Sequence, residues 1–140
     1  MKLLTARQIQ DWDKYTIQNE PISSLNLMER ASQTFSKWFM EHLGDVDLDI
    51  HFLVGPGNNG GDALAVARML DREGYEVTLW ILKISQKTSE DFEENFKRLP
   101  ARSGIEIREI NAGDGFPEDL SQGVLVDGIF GTGLNRPIEG

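Results

Sequence analysis

The sequence predicts an α/β fold: a three-layer α/β/α Rossmann-like sandwich with a mostly parallel sheet, preceded by two N-terminal helices. Three observations predict it. Short apolar runs alternate with segments of helical period, the rhythm of βαβ units. Two glycine loops each follow an apolar run directly. Two amphipathic segments precede the first run, with no strand between them.

The elements follow in order. Thr5-Ala6-Arg7-Gln8 reads as a capping box that opens a helix, with Ile9, Trp12 and Thr16 on one face, and Pro21 breaks it. Asn26-Leu27-Met28-Glu29 is a second capping-box match. Leu27, Met28, Ala31, Phe35, Trp38 and Phe39 then recur at helical spacing toward Leu43, and Gly44 supplies the stop. Ile50 to Val54 reads as a buried strand and Gly55 to Gly61 as a polar loop. A helix from Asp62 to Glu73 turns Ala63, Val66, Ala67 and Leu70 inward. Val77 to Leu82 is a second strand. Thr88 caps a helix carrying Phe92, Phe96 and Leu99; Ile105 to Ile110 is a third strand, and Val124 to Asp127 a fourth. Trp12, Trp38 and Trp80 fall at core-facing or helix-packing positions, His42 near a helix C-terminus, and His51 beside a strand.

Parallel strands put their carboxyl ends at one edge of the sheet. In a Rossmann-like order the first and fourth strands are neighbours where the order reverses, which is where such sheets bind ligands. The two glycine loops are then expected to face each other across one crevice.

Composition narrows the function classes. The chain has 140 residues, 14 basic and 23 acidic, for a net charge of −9. The basic residues form no stripe, so nucleic acid is not an expected partner. No apolar run approaches the ~20 residues of a membrane span, so no membrane partner is expected either. The N-terminus turns polar too soon for a secretory signal, and a cytoplasmic location is the expectation. There are 0 cysteines, which excludes thiol nucleophiles, disulfides and cysteine-based metal sites.

The first loop, Gly55-Pro56-Gly57-Asn58-Asn59-Gly60-Gly61-Asp62, satisfies G-x-G-x-x-G between a strand and a helix. An ordinary dehydrogenase fits poorly. Lys83 stands at the end of the second strand where a ribose-binding carboxylate is needed, and Asp62 puts a negative charge near the phosphate position. The plain reading is a tight turn with Asp62 as helix N-cap. Nothing about a turn demands both Asn58 and Asn59. In the second loop, Asp127 to Pro137, Asp127 ends an apolar strand, a costly place for an unpaired carboxylate. It either caps its own loop or meets a cation. Arg136 either pairs with Asp127 or binds a substrate phosphate, and Gly131-Thr132-Gly133 is flexible enough to form an anion nest.

Together these motifs resemble the NAD(P)H-hydrate epimerase family, whose domain also occurs as the N-terminal half of bifunctional nicotinamide-nucleotide repair enzymes. The residues that carry the resemblance are Leu4-Thr5, Leu27-Met28-Glu29-Arg30-Ala31, Gly55 to Asp62, Ala67-Arg68, and Val126-Asp127 through Pro137. Ala63 stands where the family usually has glycine. The resemblance implies that residues 1–140 form a single domain, covering about two-thirds of the family's domain and ending before a later Asp-containing motif that contacts substrate.

The implied activity is interconversion of the R and S epimers of hydrated NADH and NADPH, in repair of the cofactor. The resemblance further implies substrate contacts at Asn58, Asn59, Gly60, Gly61, Asp62, Gly131, Thr132, Gly133, Leu134, Asn135, Arg136 and Pro137. It implies a K⁺ ion on Asn59 and Asp127, a homodimer, and a fused or separate dehydratase as partner. It assigns no acid–base residue. The other reading is a non-catalytic nucleotide-binding or scaffold module of the same fold. Retention of Asn58, Asn59, Asp62 and Asp127 favours the enzyme, because a scaffold needs no cation site.

Overall fold

The structure, a computed structural model, describes residues 3–44, 48–101, 104–115, 117, 120 and 123–133. Among the described residues the elements run in the order α1 (Ala6–Asn19), α2 (Ser24–Leu43), β1 (Ile50–Val54), α3 (Asn58–Arg72), β2 (Val77–Lys83), α4 (Glu90–Lys97), β3 (Glu106–Asn111) and β4 (Val124–Gly128). The strands form one parallel sheet in the order β3-β2-β1-β4. β1 and β4 are neighbours, as the sequence predicts, with Val54 level with Gly128. Both glycine loops therefore leave the same edge of the sheet side by side.

One face of the sheet carries the main core. Ile50, Phe52, Val54, Val77, Leu79 and Ile81 pack against Leu64, Val66, Ala67 and Leu70 of α3, with Phe39 from α2 and Phe92 from α4. β1 is buried along its whole length, as expected of a central parallel strand. Arg68 is buried within the helical layer, where its Nη2 lies 2.6 Å from Glu29 Oε2. Among the described residues no helix is long and apolar enough to cross a membrane.

Several expectations are corrected. α2 starts at Ser24, capped by Ser23 rather than Asn26, because the Ser23 hydroxyl accepts from the Asn26 amide. α4 is capped by Ser89. Thr88 instead bonds the Glu93 side chain. α3 starts at Asn58, so Asp62 lies inside the helix and is not its N-cap. Gly57 takes that place in extended backbone, and its carbonyl accepts from the Gly61 amide.

The buried stripe of α2 is Met28, Ser32, Ser36 and Phe39, while Phe35 is 38% and Trp38 50% exposed. Packing onto α3 selects that stripe: the small serines let the helices approach, which apolar periodicity alone does not reveal. α1 buries no residue, and Trp12 is 62% exposed. Trp80 alone of the tryptophans is buried, and it donates to His51 Nδ1 at 3.4 Å.

Candidate functional site

The site is built where β1 and β4 end together. The Gly55 amide donates to the Gly128 carbonyl at 3.1 Å, and a Cβ on Gly55 would lie 2.0 Å from the Ile129 carbonyl oxygen. Only glycine lets the two loops pass this closely. A Cβ on Gly60 would likewise lie 1.8 Å from the Gly55 carbonyl oxygen, so the first turn of α3 sits directly on the loop before it. Glycine spacing here serves chain-to-chain approach. Gly57 is different: a Cβ there would meet nothing within 4 Å.

Asn59 closes the junction. Its Nδ2 donates to the Phe130 carbonyl at 3.1 Å, and Gly131 packs against its side chain. Asn58 is exposed on the same first turn, while Gly60 and Gly61 are buried. Thr132 and Gly133 are exposed, and the Thr132 carbonyl accepts from Gln10 Nε2 at 3.1 Å, which brings α1 to the second loop. Leu134, Asn135, Arg136 and Pro137 lie outside the described residues.

Behind the junction is a cavity of about 300 Å³, lined by Asn59, Asp62 and Ala63 of α3, Asp127 and Gly128 of β4, and Ser32 and Phe35 of α2, among others. Phe52, Val66 and Val126 give it apolar walls. Asn59 and Asp62 of α3 thus come together with Asp127 of β4, although Asn59 and Asp127 stand 68 residues apart in sequence (127 − 59).

The acids differ in environment. Asp127 is exposed, and its Oδ1 accepts from the Ile129 amide at 2.9 Å, so it does cap its own loop. The desolvation cost expected at a strand end does not arise, because Asp127 is exposed. Asp62 is partly buried and forms no hydrogen bond or ion pair among the described residues. Burial first, then the charges of Asp91 and Asp13, push its carboxyl up from the usual 3.8 to about 6. Asp91 itself accepts from the Ser24 hydroxyl at 2.9 Å. At the end of β2, Lys83 pairs with Glu109 at 2.9 Å.

No group of three or more His, Asp or Glu side chains stands ready to hold a metal ion among the described residues. Asn59 and Asp127 both line the cavity, and their side chains carry hard oxygen donors. Sequence reasoning missed Ser32. It is a polar residue one turn after Met28, and only the α2–α3 packing turns it inward.

The family described as YjeF-related protein N-terminus matches residues 24–140, from the start of α2 through both loops. The chain belongs to this family. Its similarity to individual members spans nearly all of it. It is 33% identical over 145 residues to NAD(P)H-hydrate epimerase of Rhodobacter capsulatus, covering 99% of this chain and 66% of that protein. It is 32% identical over 142 residues to the bifunctional NAD(P)H-hydrate repair enzyme Nnr of Thermofilum pendens, covering 100% of this chain and 27% of that protein. The crystal structure of yeast YNL200c superposes with a TM-score of 0.73 at 22% identity, over 99% of this chain and 60% of that one. That likeness shows the fold, consistent with a three-layer α/β/α sandwich. The chain spans under two-thirds of the length of each of these relatives.

Proposed function

We propose that this protein acts as an NAD(P)H-hydrate epimerase, interconverting the R and S epimers of hydrated NADH and NADPH. The observation that carries the reading is the joining of the two loops by Asn59 and Phe130 beside a cavity that holds Asp62 and Asp127. Relatives named for that activity, similar over nearly the whole chain, support it. Asn58 to Asp62 and Gly131 to Pro137 are the segments proposed to hold the substrate.

Epimerisation at the hydrated ring carbon breaks and remakes one C–O bond. The ring nitrogen's electron pair stabilises the cation left when the hydroxyl departs. Asp62, in its acid form, gives its proton to that hydroxyl as the bond breaks and water forms. Water then adds to the opposite face and returns a proton to the Asp62 carboxylate, so atoms and charge balance. General acid–base assistance of this kind is worth roughly 10²–10⁴-fold. An Asp titrating near 6 supplies both forms close to neutral pH, which unperturbed carboxylates do not.

K⁺ is proposed on Asn59 and Asp127, where it would offset the negative charge of the cavity. A homodimer is proposed through the N-terminal helices, where Leu3, Leu4, Trp12, Tyr15 and Trp38 expose a large apolar area. Sedimentation that shows only monomer at micromolar concentration would exclude it. A dehydratase acting on one epimer is the proposed partner, fused or separate, and the cytoplasm is the proposed location.

The experiment is to give the purified protein one separated epimer of hydrated NADH and follow the other by chromatography. Interconversion well above the spontaneous rate is expected. A rate equal to the buffer control would reject the enzyme and leave a binding or scaffold module.

A further inference from the structure

Three buried side chains carry a polar atom without a hydrogen-bond partner among the described residues: Ser32, Arg68 and Asn95. Arg68 still pairs with Glu29, and Asn95 still donates to the Asp91 carbonyl at 2.9 Å. Ser32 has no side-chain hydrogen bond among the described residues. It is 3% exposed and lines the cavity shared with Asn59, Asp62 and Asp127. A serine within a helix ordinarily bonds the carbonyl one turn back, as Thr16 and Thr34 do here at 3.0 Å. Ser32 does not. No partner among the described residues pins its hydroxyl, which is left to turn about Cα–Cβ toward a group bound in the cavity that Ser32 lines.

The rest of the cavity indicates which group that is. At about 300 Å³ it has room for one ring. Its walls of Phe52, Val66 and Val126 suit a flat apolar face. Asp62 and Asp127 line it, and Asp13 and Asp91 add negative charge nearby, so a phosphate is repelled. An uncharged ring bearing a hydroxyl is accommodated, because the hydroxyl can both donate and accept.

We propose that Ser32 is the contact for the hydroxyl of the hydrated ring, and that it gives the site its preference for the hydrated over the intact cofactor. The inference rests on the epimerase reading and extends it to a residue of α2. An intact ring lacks the hydroxyl and leaves Ser32 without a partner, a penalty that falls on the wrong ligand only.

The test compares dissociation constants for hydrated NADH and for NADH in the wild type and in Ser32→Ala. The wild type is expected to favour the hydrated form. Ser32→Ala is expected to weaken binding of hydrated NADH about tenfold, to leave NADH unchanged, and to keep or raise the melting temperature, since it removes a buried hydroxyl without a partner. Ser32→Cys, of nearly the same volume but a poor hydrogen bonder, should show the same loss. A wild type that neither binds nor epimerises hydrated NADH overturns the epimerase reading, and this inference with it. A wild type that epimerises, beside a Ser32→Ala protein with the same preference, overturns this inference alone. Equal loss of both ligands together with a lower melting temperature also overturns it, because the hydroxyl would then hold structure.

Discussion

Asn59 Nδ2 donates to the Phe130 carbonyl at 3.1 Å, so a side chain from the first turn of α3 holds the backbone that follows β4. The two loops are one unit. Asn59→Ala removes a bond worth about 0.5–1.5 kcal/mol and also removes the Oδ1 proposed for K⁺. The melting temperature should fall by only a few degrees while epimerisation falls at least tenfold. Thermal melts and the epimer assay on the same preparation check this. Full activity with a large drop in melting temperature would make Asn59 a purely structural tie.

Asp127→Asn separates cation binding from loop capping. An Asn at 127 can still accept from the Ile129 amide, now 2.9 Å from Asp127 Oδ1. Stability without K⁺ should therefore barely change. In the wild type, K⁺ at ten times its dissociation constant should add about 1.4 kcal/mol by linkage. Melts across a K⁺ titration, with Na⁺ as control, should show that gain in the wild type and little of it in the variant. An undiminished K⁺ response in Asp127→Asn would take Asp127 off the ligand set.

Gly57, before α3, and Gly60, in its first turn, should behave oppositely. A Cβ at Gly60 would stand 1.8 Å from a backbone oxygen, whereas one at Gly57 would meet nothing within 4 Å. Gly60→Ala is expected to cost more than about 4 kcal/mol or to prevent folding, through backbone displacement at the loop junction. Gly57→Ala should cost under about 1 kcal/mol, the usual penalty for alanine at an N-cap. Chemical denaturation of both variants reads the difference directly. A protein that accepts alanine equally at both positions would show that the first turn of α3 does not press on Gly55.

Asp62 ties activity to pH. Its folded-state pKa of about 6 lies above the unfolded value near 3.8, so the folded state binds the proton more tightly. Stability is thus greatest below about pH 4 as far as this group is concerned, and it falls as pH rises through 6. Asp62→Asn removes that penalty and should raise stability at pH 7 by on the order of 1–3 kcal/mol, with no gain at pH 4. The same variant should lose about 100-fold or more in epimerisation. In the wild type the rate should fall as pH rises through about 6, because the first step needs the acid form. A flat wild-type profile from pH 5 to 8 would assign the proton transfer to another group.

Much of the fold was legible because it is written locally. Alternation of Ile50–Val54, Val77–Lys83 and their helices is a short-range pattern, and chain topology makes β1 and β4 neighbours. The glycine loops and their asparagines could be read for the same reason, since a strand–glycine–helix junction is a few residues long. What the sequence left open depended on distant partners. Ser32 and Phe35 are both polar–apolar choices on one helix, and only contact with α3 buries the serine and leaves the phenylalanine 38% exposed. Asp62 looked like a helix cap until Gly57 took that position. Its proton affinity is set by burial and by Asp91 and Asp13, which lie 29 residues after it (91 − 62) and 49 before it (62 − 13). Hydrophobic period and turn chemistry act over one or two helical turns and can be read along the chain. Burial and electrostatic environment are sums over neighbours in space, and only the folded chain chooses those neighbours.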